Sequence, residues 1–76
     1  MLLIDAVRRD DISPDGVPII LHWSELAVGA SFFIPCINTT KCKQQLRRIT
    51  NRKNFQVEIN VVIEDGMLGV RLWRML

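Results

Sequence analysis

Residues that carry chemistry are scarce in this chain of 76. It has one histidine, His22, and two cysteines, Cys36 and Cys42. A structural zinc site takes about four nitrogen or sulfur ligands at short paired spacings, which one such chain does not supply. A hydrolytic nucleophile needs a base beside it and a third group to hold that base. The succession His22, Ser24, Glu25 does not establish that arrangement. The four glycines, Gly16, Gly29, Gly66 and Gly69, are isolated from one another, so there is no glycine-rich loop to cradle a phosphate. The expectation is a protein with no catalytic residue, no metal, no cofactor and no enzymatic activity.

Long apolar runs are missing as well. The longest, residues 17–21 and 31–36, fall far short of the roughly 20 residues that span a bilayer, so no membrane partner is expected. At the N-terminus an apolar tetrapeptide is followed at once by Asp5 and then by Arg8, Arg9, Asp10 and Asp11. That order is wrong for a secretory signal, and the reading is a cytoplasmic protein. In that compartment Cys36 and Cys42 are expected as buried reduced thiols that pack like small hydrophobes, with a disulfide between them as the alternative.

Acidic residues are absent over one long stretch, between Glu25 and Glu58, and within it lies TTKCKQQLRRITNRKN. Six of the ten basic residues fall in positions 41–53, although the net charge of the chain is only +2. The positive charge is therefore a local patch. Hydrophobic residues make up 49% and charged residues 24%, an ordinary globular mixture that argues against disorder. At this length one domain with one small core is expected, spanning residues 1–76. Residues 1–16 read as a loose arm or an edge strand, and residues 17–76 as the compact part.

Ser13-Pro14-Asp15-Gly16 is a turn signal. Residues 17–23 are β-branched and apolar, a strand that Pro18 would confine to an edge. Ser24 could cap a helical turn over residues 25–28 that Gly29 ends. Phe32, Phe33 and Ile34 read as a buried strand stopped by Pro35. A helix is expected to start after Asn38, Thr39 or Thr40, because Cys42, Leu46 and Ile49 form one stripe at helical spacing.

Phe55, Val57, Ile59, Val61 and Ile63 then alternate with polar residues at strand period, and Asp65-Gly66 offers a two-residue hairpin turn. That turn sets Ile63 opposite Leu68, Val61 opposite Val70 and Ile59 opposite Leu72, an apolar ladder for the helix stripe. On the other face Asn60 falls opposite Arg71 and Glu58 opposite Trp73. Arg74 falls opposite Val57 on the inner face, an awkward place for a charge. The predicted fold is α+β, a small domain with one amphipathic helix packed on an antiparallel sheet that ends in a C-terminal β-hairpin.

On this helix Lys43 and Arg47 flank one side of the stripe, Lys41, Arg48 and Arg52 the other, with Gln44 and Asn51 outward between them. Lysine and arginine neutralise phosphates and release counterions, while amide side chains reach adenine edges in a major groove. The expected function is nucleic-acid binding, to DNA more than RNA, with Lys41, Lys43, Arg47, Arg48 and Arg52 on phosphates and Gln44 and Asn51 as base readers. A second surface is the outer sheet face, where Asn60, Arg71 and Trp73 would meet unpaired bases. Against both stands a basic helix face that serves solubility alone, and the sequence pI of 8.8 is just below the value of about 9 usual for nucleic-acid modules. The alternative function is a protein-interaction module that meets an acidic partner surface. A third reading, a purely structural subunit, would pair chains as a homodimer along the strand edge near residues 68–76 or along the N-terminal segment. Trp23 and Trp73 read as core anchors, or as hot spots for a partner if exposed.

Two stretches carry a resemblance. WSELAVGASFFIP (residues 23–35) and GVRLWRM (residues 69–75) resemble a pattern in small uncharacterised bacteriophage proteins. There a short glycine-containing turn leads to an S-F-F-x-P strand, a basic helix and a closing G-V-R-x-W-R strand. The resemblance covers residues 23–75. It implies a phage origin and action in the host cytoplasm, such as binding nucleic acid or inhibiting a host nucleic-acid enzyme or defence complex, and it brings no site residues with it.

Overall fold

Cys42, Leu46 and Ile49 need a cover, and an alternating strand pair supplies one. In the computed structural model, which describes residues 10–76, helix α1 runs over Thr39–Lys53 and buries Cys42, Leu46, Ile49 and Thr50. Asn38 is the N-cap, its Oδ1 accepting from the Lys41 N–H at 3.0 Å. The carboxylate of Asp15 accepts from the N–H groups of Ile37 and Asn38 at 2.9 and 2.8 Å, fixing the chain as it enters the helix. At the other end Asn54 adopts a left-handed conformation, φ 57°, and the Phe55 N–H returns to the Thr50 carbonyl. Free amides at one end and free carbonyls at the other are thus occupied locally.

Strands β1 (Ser31–Pro35), β2 (Val57–Glu64) and β3 (Met67–Arg74) form one antiparallel sheet in the order β1-β3-β2. The hairpin closes through Asp65-Gly66, both at positive φ (51° and 79°), as a two-residue turn matched to strand twist requires. The register is the expected one, with Ile63 opposite Leu68, Val61 opposite Val70 and Ile59 opposite Leu72. β1 adds Phe32 opposite Leu72 and Ile34 opposite Val70. The core lies between α1 and this face, with Ile34, Leu46, Val70 and Leu72 at its centre and Ile12, Trp23 and Leu26 closing one side.

The helix covers only part of the ladder. Ile59, Val70 and Leu72 are buried, but Val61 is 48% exposed, Ile63 71% and Leu68 41%. The buried stripe of α1 is four residues, too little apolar surface to reach the hairpin tip. A second departure is the position of β3, which pairs on both sides. The strand edge near residues 68–76, expected to be free for a second chain, is already occupied by β1.

Residues 17–23 are not a strand of the sheet. Ile19 makes a single antiparallel bridge with Ile12, enclosing the turn that Gly16 makes at φ 87°. Ile12 and Ile19 exchange both bonds, so the next bonded pair toward the turn would join Pro14 and Val17, and Pro14 has no N–H to donate. The helical turn falls earlier than expected, as a 3₁₀ turn over Trp23–Glu25 with no side-chain cap at His22.

Of the segment 1–16, residues 1–9 lie outside the described residues. Residues 10–16 are attached to the core: Ile12 is buried, the Ser13 N–H donates to Gln45 Oε1 at 2.8 Å, and Asp15 holds the helix start. The packed part of the chain therefore begins before residue 17.

Trp23 is a core anchor. Its ring meets Phe32 edge-on at 5.6 Å and Phe55 at 6.4 Å, and its indole N–H donates to the Asp10 carbonyl at 2.8 Å. Arg74, placed on the inner face by the register, finds carbonyls instead of solvent. Its guanidinium donates to Leu26 O at 2.8 Å and Leu76 O at 3.2 Å, and its centre lies 3.8 Å from the Phe55 ring centroid. Cys36 and Cys42 are free thiols, both buried, and burial pushes the Cys42 thiol up to about 12.

Candidate nucleic-acid interface

The outward face of α1 follows from the same stripe that fixes its inward face. A helix of this length extends about 22 Å. Lys41, Gln44, Arg47, Arg48, Asn51 and Arg52 are exposed and Lys43 is half-buried at the margin. Lys43 and Arg47 form one lane, Lys41 and Arg48 the other, and Gln44 and Asn51 stand between them, two turns apart.

One lane is electrostatically unfavourable to the isolated fold, since Lys43 and Arg47 are like charges at i,i+4, an arrangement that costs about 0.2–0.5 kcal/mol. In the other, Lys41 and Arg48 are two turns apart, and the neighbour of Arg48 at i,i+4, Arg52, is offset by Asp10. No acidic residue of the helix itself occupies its first turn; the negative charge that the helix dipole favours there comes from Asp15, whose carboxylate accepts from the Ile37 and Asn38 N–H groups. Among the described residues no carboxylate makes an ion pair with Lys41, Lys43, Arg47 or Arg48.

Arg52 stands apart from these four. Its Nη2 lies 2.6 Å from Asp10 Oδ1, and Lys53 Nζ lies 3.2 Å from Asp10 Oδ2. Desolvation acts to raise the Asp10 carboxyl, and the hydrogen bonds and charges of Arg52 and Lys53 outweigh it, leaving its pKa below the ordinary 3.8. Lys53 also sits 6.0 Å from the centroid of Trp23. The C-terminal end of the basic cluster thus ties residue 10 to the helix. The partners are 42 positions apart, and no local pattern signals the pairing.

The outer sheet face is built differently. Asn60 is opposite Arg71 and Glu58 opposite Trp73, so Asn60, Arg71 and Trp73 do share one surface. Arg71, however, gives Nε and Nη2 to the two oxygens of Glu64, each at 2.5 Å, and Nη1 to Ser31 Oγ at 2.6 Å. Its guanidinium lies between the rings of Phe33 and Trp73, 5.6 and 6.0 Å from their centroids. The hydrogen bond to Glu64 raises the Arg71 pKa and lowers that of Glu64. Neither Ser31 nor Glu64 stood out in the sequence as a partner of this arginine. Its charge is neutralised within the fold, whereas no carboxylate among the described residues pairs with the four helix cations.

Among the described residues no group of three or more His, Cys, Asp or Glu is placed to hold a metal ion, and no helix is long and apolar enough to cross a membrane. His22 is exposed at the start of the 3₁₀ turn. Comparison with protein-family models, with curated proteins and with solved structures finds no match to the chain.

Proposed function

We propose that this chain is a small nucleic-acid-binding protein that lays the outward face of α1 on DNA, with Lys41, Lys43, Arg47 and Arg48 on phosphates. The observation that carries the reading is the set of four cations with no ion-pair partner among the described residues, held in like-charge lanes on one rigid helix. A face kept only for solubility is served by mixed signs, which stabilise a helix where like charges oppose it. Phosphates supply the missing negative charge and release counterions as they do so.

Gln44 and Asn51, between the lanes, are the residues that would read base edges, since amides pair with adenine in the major groove. DNA is preferred to duplex RNA because the B-form major groove admits a helix and the deep, narrow A-form groove does not. Arg52, held by Asp10, contributes less than the other four. The resemblance of residues 23–35 and 69–75 to small phage proteins leads us to propose a phage origin and action in the host cytoplasm.

A second reading is favoured by one feature, the sheet face opposite α1, which no helix or strand among the described residues covers and where Phe33 and Trp73 lie beside Arg71. A protein partner with an acidic surface, such as a host nucleic-acid enzyme or defence complex that the chain inhibits, would meet this face or the basic helix. Alanine substitution separates the two. Under phosphate binding, Lys41→Ala and Arg48→Ala each weaken DNA affinity evenly across sequences and lower the salt slope by about 1. Under protein binding, one Trp or Arg dominates with a loss of about 2 kcal/mol or more while its neighbours cost little.

A further inference from the structure

The two outer strands of the sheet are protected unequally. β1 is five residues long and ends in Pro35, which blunts an edge in the usual way. β2 is eight residues long, without proline, lysine or arginine, and among the described residues nothing pairs with its outer side.

The hydrogen-bonding phase of that edge follows from the hairpin. A two-residue turn bonds its closing pair, Glu64 and Met67, and every second pair beyond it. At the far end the Met75 N–H donates to the Gln56 carbonyl, in the same phase. Gln56, Glu58, Asn60, Val62 and Glu64 therefore bond inward to β3 and its extension. Val57, Ile59, Val61 and Ile63 turn their N–H and C=O groups away from the sheet. Their side chains are the apolar ones on the helix side, and Val61 and Ile63 are the pair the helix leaves exposed.

We propose that β2 is a homodimerisation edge, pairing antiparallel with β2 of a second copy about a twofold axis through Asn60. In this register Val57 faces Ile63 of the second copy and Ile59 faces Val61. All four outward-bonding residues of each chain are then paired with one another. The exposed end of one ladder also meets the covered end of the other, so that Val61 and Ile63 gain the shelter their own helix does not give.

Charge is compatible with this register: about Asn60, Glu58 falls opposite Val62 and Glu64 opposite Gln56. Of the two neighbouring registers of the same phase, the one with Val61 on the axis sets Glu58 opposite Glu64 and Val57 against the turn residue Asp65, and like charges directly opposite destabilise a strand pair. The one with Ile59 on the axis opposes no like charges but sets Ile63 against Phe55, whose N–H is already given to the Thr50 carbonyl, so Ile63 is left partly unpaired. Of the three, the register about Asn60 alone satisfies hydrogen bonding, burial and charge together.

The two helices would lie on one side of a continuous six-stranded sheet. α1 packs on β3 and β2, so the strand spacing places the helix axes about 10–14 Å apart, sufficient for two helices side by side. Both flanks of α1 are basic, so whichever flanks approach repel one another, and the dimer tightens as salt is raised. DNA binding has the opposite salt dependence. The dimer does not depend on the DNA reading, and failure of either leaves the other standing.

The test uses the full chain. Sedimentation equilibrium over a dilution series should show the mass rising with concentration from 8.8 kDa toward twice that value, and more readily at higher salt. Register is read by cysteine crosslinking at exposed or half-exposed positions. Directly opposed residues that are not hydrogen-bonded across the pair have Cα atoms about 4.5 Å apart, within disulfide reach. Asn60→Cys should therefore crosslink to itself on mild oxidation. Glu58→Cys and Val62→Cys should each crosslink poorly alone and efficiently when mixed. A chain that stays at 8.8 kDa, with Asn60→Cys no faster to crosslink than Glu58→Cys, overturns the proposal. So does a dimer by mass in which the mixed pair crosslinks no better than either variant alone.

Discussion

Gly69 lies in the central strand, opposite Val62 on one side and Pro35 on the other, and replacing it with alanine tests the packing of the outer sheet face. A Cβ added there would collide with the carbonyl oxygen of Ile34 and sit 2.8 Å from two ring atoms of Phe33. Ordinary carbon contacts begin at about 3.5 Å. The phenyl ring can swing aside, but the Ile34 carbonyl belongs to the backbone of β1 and moves only with it. Overpacking of this kind costs about 1–3 kcal/mol, against which alanine returns about 0.4–1 kcal/mol by restricting the unfolded chain. The net loss is about 1–2 kcal/mol, equivalent to a fall in Tm of about 4–16 °C for a domain of this size. Thermal unfolding followed by far-UV circular dichroism measures it, with the spectrum below the transition showing that the fold is kept. A Tm equal to or above that of the unmodified chain would refute the close approach of β1 and β3 at this position, since without it Gly→Ala is stabilising.

Other consequences are as direct. Arg74→Ala removes two bonds to carbonyls and a contact with Phe55, and should lower stability by about 1–2 kcal/mol in urea unfolding; Arg74→Lys should recover part of this, and an unchanged midpoint for the alanine variant would contradict the geometry. The carboxyls of Asp10, Asp15 and Glu64 all lie below their ordinary values of 3.8, 3.8 and 4.5 in the folded chain. Groups depressed by folding contribute stability that is complete above the unfolded pKa and is lost as pH falls through the folded one. Stability should thus hold from neutrality to about pH 5 and fall below about pH 4, less steeply in Asp15→Asn; urea midpoints across pH check this, and an identical acid limb in the variant would count against the bonds of Asp15 to the Ile37 and Asn38 N–H groups. Cys42 is fully buried with its thiol pushed up to about 12, so a thiol reagent should leave it unmodified in the native protein and react on unfolding.

How far these features could be read in advance depends on the distance over which they are encoded. The stripe Cys42, Leu46, Ile49 and the alternation from Val57 to Ile63 are local periodicities, and Asp65-Gly66 fixes the hairpin register by itself. Helix, hairpin and the α+β class followed from them. Residues 17–23 misled because β-branched composition indicates a strand, while the next donor their ladder with residues 12–14 needs falls on Pro14, which has none. The order β1-β3-β2 is non-local: periodicity says which face of β3 is apolar, and nothing in it says that β1 takes the second edge.

The site divides along the same line. The positions of Lys41, Gln44, Arg47, Arg48 and Asn51 on an outward face were legible from helical spacing. Three contacts were not, namely Arg52 with Asp10, Arg71 with Glu64, and Arg74 with the Leu26 carbonyl. The first and third join segments that only the fold brings together; Glu64 and Arg71 share the hairpin but are not opposite in its register, and the first two show that an arginine in a promising pattern is already engaged.

We propose above that the four helix cations neutralise DNA phosphates. Fluorescence anisotropy of a labelled duplex titrated with the full chain at several salt concentrations tests it most directly, with single-stranded DNA and duplex RNA beside it. Four phosphate contacts correspond to a slope of log affinity on log salt of about −3.6, to be reduced by about 1 in Arg48→Ala, with duplex DNA bound more tightly than duplex RNA. No binding at low salt, or binding whose slope is the same in Lys41→Ala and Arg48→Ala as in the unmodified chain, would contradict it.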